Sequence, residues 1–127
     1  MSTRLERRVV GKAASYTIRP NSDSPGTVFT NKGATGSITF TLPTPTRALL
    51  GWWYRIKVVV DQNVVLAPAT ADTLVLLNDL AADSLTISTS SEKIGAEIEA
   101  QCVETADGTF KWAASGIAVG HTYTVAT

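Results

Sequence analysis

Cysteine and histidine each occur only once in this 127-residue chain. That scarcity excludes most routes to metal, redox or nucleophilic chemistry. Cys102 can form no intrachain disulfide, and its flanks carry no metal-ligand spacing. His121 has no cysteine or acid at a ligand spacing nearby, so a zinc or triad role would need partners from far along the chain. Charge is also sparse, at 17% of residues, and it balances, with 11 basic and 11 acidic side chains. No whole-molecule field therefore steers the chain to nucleic acid or to an anionic membrane. No apolar run is long enough to span a bilayer, and the start, Met1-Ser2-Thr3-Arg4, lacks the apolar stretch of a secretory signal. Synthesis in the cytoplasm, in soluble form, is the expectation. Helix-length periodicity and repeats of fixed period are missing too.

What is present is apolar material in short alternating runs. Hydrophobic residues make up 44% of the chain, which excludes general disorder and gives one domain a real core. So little charge implies that part of the surface is buried in an oligomer. Residues 37–42 place Ile38, Phe40 and Leu42 on one face and Ser37, Thr39 and Thr41 on the other, the pattern of a half-buried strand. Residues 52–60 form the longest such run and the best candidate for a central strand, entered through one short helical turn within residues 46–51. Further strands are expected at residues 15–18, 27–30, 64–67, 73–77, 85–88, 96–105, 109–114 and 122–125. Asp61-Gln62-Asn63 reads as a hairpin between two of them, and Asp107-Gly108 as another. Residues 73–77 are apolar on both faces and call for cover on both sides. The sum is an all-β fold, a small antiparallel β-sandwich or barrel of jelly-roll type, over residues 15–127.

Residues 1–14 carry no strand or helix period and read as an extended N-terminal arm, ordered by what it touches. Arg4, Arg7, Arg8, Lys12 and Arg19 precede Pro20 against a single acid, Glu6, and Val9 and Val10 are its apolar anchors. Such an arm could bind nucleic acid, but Tyr16 is its only interleaved aromatic. Pairing with acidic or backbone groups of a neighbouring protein is preferred.

No candidate catalytic set assembles. Glu97 and Glu99 share a strand face and could form an acid/base pair. They read better as a solvated face, with Ala96, Ile98, Ala100 and Cys102 turned to the core. Should that strand lie beside residues 52–60, Arg55 and Lys57 would oppose the two acids in a cross-strand charge ladder. Cys102 then acts as a small apolar filler. Gly33 and Gly36 lack the Gly-Lys-Ser/Thr ending and following helix of a phosphate loop. No cofactor and no metal is expected. Trp52 and Trp53 point to opposite faces, so at most one ring enters the core, and the other suits a subunit contact.

The stretch GTVFTNKGATGSITFTLP at residues 26–43, with residues 54–60, 69–73, 95–103 and Phe110-Lys111-Trp112, resembles small β modules of tailed-bacteriophage virion proteins. Capsid decoration (cement) proteins and head-fibre or tail-fibre domains both use them, and the resemblance spans residues 15–116. It implies a non-enzymatic homotrimer on the capsid surface of the virion, gluing adjacent subunits of the major capsid protein, with no nucleic acid or membrane as partner. On this view the body trimerises through Val75, Leu77 and an outward Trp52 or Trp53. The arm lies across capsid subunits and pairs Arg4, Arg7 and Arg8 with acids there, beside Val9, Val10 and Lys12. The alternative is a receptor- or carbohydrate-binding fibre module in which Trp52, Trp53 or Tyr123 stacks on sugar rings.

Overall fold

A computed structural model describes residues 7–76, 78–88, 93–116 and 123–127, with the side chain of Tyr123 excepted. Two sheets pack face to face as an all-β sandwich. The strands are β1 (Val9–Gly11), β2 (Tyr16–Thr17), β3 (Val28–Thr30), β4 (Ile38–Leu42), β5 (Trp53–Lys57), β6 (Val64–Pro68), β7 (Leu74–Leu76), β8 (Asp79–Ala82), β9 (Ser84–Ile87), β10 (Glu97–Ala106), β11 (Thr109–Gly116) and β12 (Tyr123–Ala126). The larger sheet runs β1-β3-β5-β10-β11-β7-β8 and the smaller β12-β9-β6-β4-β2. The short helical turn expected before β5 is present at Arg47–Leu49.

Alternation dictates the layers. Ile38, Phe40 and Leu42 of β4, Val64 and Leu66 of β6, and Leu85 and Ile87 of β9 are buried, as are Tyr54 and Ile56 of β5 and Ile98, Ala100 and Cys102 of β10. A run of tilted rings ties the layers together. Tyr16 and Phe40 of the smaller sheet each sit 5.6 Å from Phe29 of the larger, Phe29 lies 6.1 Å from Tyr54, and Tyr54 lies 6.0 Å from Trp112. Trp112 is fully buried, and its indole N–H donates to the Pro43 carbonyl at 2.7 Å.

Both sheets are mixed rather than purely antiparallel. β1 pairs parallel to β3, β3 to β5, β7 to β11, β2 to β4, and β4 to β6. The purely antiparallel pairing expected is therefore replaced by a mixed one, with crossovers between the layers. One of these corrects the hairpin expected at Asp61-Gln62-Asn63: β5 belongs to the larger sheet and β6 to the smaller. The cause is Asn31, fully buried, whose Oδ1 accepts the Val59 and Val60 N–H groups at 2.8 and 3.0 Å while its Nδ2 donates to the Val60 carbonyl at 2.9 Å. With those backbone groups taken, the chain leaves its ladder and passes to the other layer. The Asp107-Gly108 turn does close a hairpin, β10 to β11, with Gly108 at φ 77°.

The N-terminal segment is built into the fold. Val9–Gly11 forms the edge strand of the larger sheet, in register with Val28–Thr30, and Val28 N–H donates to the Arg8 carbonyl at 2.8 Å. Val10 packs on the core while Val9 stays exposed. Period analysis misses a strand this short because three residues hold barely one alternation.

Candidate functional site

A buried carboxylate, Asp23, anchors the N-terminal segment. The Asp23 carboxylate, 1% exposed, accepts from Arg8 Nη1 at 3.1 Å, from the Tyr16 hydroxyl at 2.6 Å and from the Arg19 backbone N–H at 2.9 Å. Its own backbone carbonyl accepts from the buried Tyr54 hydroxyl at 2.8 Å. Burial pushes the Asp23 carboxyl up, but donation from Arg19, Tyr16 and Arg8, with the Arg8 charge, outweighs it and holds the acid below its ordinary value. Its hydrogen bond to Asp23 raises the Tyr16 phenol, and burial pushes Tyr54 up to about 12. Arg8 precedes β1 of the larger sheet and Tyr16 lies in β2 of the smaller, so one carboxylate pins both layers.

The outer face of the larger sheet is charged and internally paired. Glu97 lies opposite Lys57 and Glu99 opposite Arg55 in the β5–β10 ladder. Their ion pairs close at 3.1 and 2.6 Å, the arrangement expected from the strand pattern. Each partly exposed pair contributes about 0.2–1 kcal/mol. Trp53 shares this face and is already occupied: the Arg7 guanidinium lies 4.7 Å from its ring centroid and that of Arg55 5.8 Å. Gly26, at φ 85°, passes under the same ring, where a Cβ would come within 3.2 Å of it. Beside Trp53 an open cleft of about 380 Å³ is lined by Arg7, Val9, Val28, Thr30 and Lys57.

The smaller sheet presents an opposite surface. Its outward strand positions are Thr17, Thr39, Thr41, Val65, Ala67, Ser84, Thr86, Thr124 and Ala126, none of them charged. Thr39, Val65, Thr86 and Thr124 form one continuous row across four strands.

Of the residues singled out from sequence, Arg7, Val9 and Lys57 meet at the cleft, whereas Arg8 is turned to Asp23. Lys12 Nζ sits 3.8 Å above the Tyr16 ring. Trp52 is half-buried against the core, and half-buried Val75 stands beside Ala113 on the charged sheet. Arg4, Leu77, His121 and the Tyr123 side chain lie outside the described residues. Cys102 is buried, its thiol donating to the Thr46 carbonyl at 3.8 Å and pushed up by burial. Among the described residues no three His, Cys, Asp or Glu side chains gather as a metal would require. Asp23 and Asn31 escaped notice because turn-rich segments are full of Asp and Asn that face water. No family model matches the chain, and no curated protein matches it.

Proposed function

We propose that this protein is a non-enzymatic virion component, a decoration or cement protein that stands as a trimer on a bacteriophage head and bridges subunits of the major capsid protein. The division between its two outer faces carries this reading. One face sets Arg7 and Lys57 around a cleft and suits an unlike partner. The other has no charge at its strand positions and suits copies of itself, because like charges cannot meet across a symmetry axis there. Self-association through Trp53 is less favoured, since Arg7 and Arg55 already lie on that ring. The Asp23 cluster supports the same function, holding the segment that carries Arg7 to the body as a bridging protein under load requires.

Light scattering with co-sedimentation on phage capsids lacking the protein tests the proposal. A trimer that saturates the shells at a fixed ratio is the expected result. A monomer, or a trimer that leaves the shells untouched while retaining a cell-surface glycan, overturns it in favour of a fibre-type binding module.

A further inference from the structure

The geometry points to the cleft between β1 and β5 as a docking site for an acidic, extended segment of a partner protein, with a carboxylate received between Arg7 and Lys57 and an apolar neighbour against Val9 and Val28. For the identity of that partner alone, this rests on the function proposed above.

The five lining side chains comprise two cations, two valines and one threonine, with no acid among them. Lys57 shares its charge with Glu97 at 3.1 Å, whereas Arg7 is stacked on an indole, a contact that orients a guanidinium and leaves its charge uncancelled. An arginine so held loses less side-chain entropy when it takes a carboxylate. Val9 is 64% exposed at the rim, where only a partner's apolar group would cover it. Lys32 extends the positive field: its side chain lies against Gly11, where an added Cβ would come within 3.0 Å of it. Nucleic acid fits less well. Trp53, the ring of this face among the described residues that could stack a base, carries Arg7, and the valines offer a phosphate nothing.

The probe is a fluorescein-labelled hexapeptide, Thr-Glu-Val-Glu-Val-Thr, followed by anisotropy on the full chain, with a counterpart carrying glutamine for both glutamates. We expect saturable binding that weakens about tenfold with the glutamine peptide and about tenfold in Arg7→Gln/Lys57→Gln. Arg47→Gln should leave it unchanged, because Arg47 lies over Phe110 and pairs with Glu104 instead. Amide shifts on titration should centre on Val9, Val28 and Thr30, and an unchanged melting temperature shows that the double variant is folded. Equal affinity for both peptides, shifts centred elsewhere, no saturation, or displacement by oligothymidylate at lower concentration than by the peptide overturns the site. Peptide binding without capsid binding rejects the capsid and keeps the cleft; the reverse rejects the cleft and keeps the capsid.

Discussion

The two sheets use the same strand alternation to build one core, yet they turn opposite surfaces to the outside. Beyond the larger sheet stand Arg7, Arg55, Lys57, Glu97 and Glu99, joined by ion pairs and ring contacts. At the described strand positions beyond the smaller stand threonine, serine, valine and alanine. The difference shows that a balanced formal charge says little about a surface: charge averaged over the chain hides the unequal charge of the two sheets' outward strand positions. It also shows where each face can be perturbed. Ladders of exposed ions contribute little to stability, whereas the buried polar groups that connect the layers contribute much.

The largest effect should come from cutting the tie between the sheets. Asp23→Ala strands the Tyr16 hydroxyl, the Arg19 N–H and the Arg8 guanidinium, and should cost about 3 kcal/mol in urea unfolding. Because the Asp23 carboxyl is lowered in the fold, its contribution is complete above the ordinary value of 3.8 and is lost as pH falls through the lower folded value. Tyr54 works at the other end, present below its ordinary value of 10 and lost as pH rises toward about 12. A melting-temperature profile against pH should therefore fall at both extremes, and Asp23→Asn should flatten the acid limb.

Asn31→Ala comes next, at about 2 kcal/mol, since it leaves the Val59 and Val60 backbone groups without the partners that set the crossover. Smaller is the coupling across the charged face. A double-mutant cycle on Arg55→Met and Glu99→Gln should return about 0.5–1 kcal/mol, falling with salt. Smallest in stability but not in assembly is the uncharged face, where Thr39→Lys/Thr86→Lys should shift unfolding by no more than about 0.5 kcal/mol while lowering the mass seen by light scattering. A mass unchanged by those lysines would place self-association elsewhere and remove the contrast between the faces.

Much of this architecture was legible in advance. The alternation in residues 37–42 and 52–60 reports which side chains face inward, because a strand's period of two leaves no other choice once one face is apolar. The Asp-Gly turn followed from local chemistry, whereas the charge ladder followed only on the condition, met in the fold, that β5 and β10 are neighbours. The asymmetry of the faces was not legible, since it depends on which strands share a sheet. Strand pairing between distant segments is set by core packing and by single buried groups such as Asn31. The candidate site divides in the same way: Arg7 and Val9 stood out as part of a basic segment, but Lys57 joined them only through β3 and β5, and Arg8 was withdrawn by an acid in a turn.

Sequence by itself therefore determined the all-β class, the inward and outward faces of the main strands and the β10–β11 hairpin, because each depends on neighbours a few residues apart. Tertiary structure alone decided the mixed sheet order, the fixing of the N-terminal segment through Asp23, the occupation of Trp53 and the separation of charge. These arise from contacts between residues far apart in the chain, where burial and hydrogen bonding, rather than local preference, select the partner.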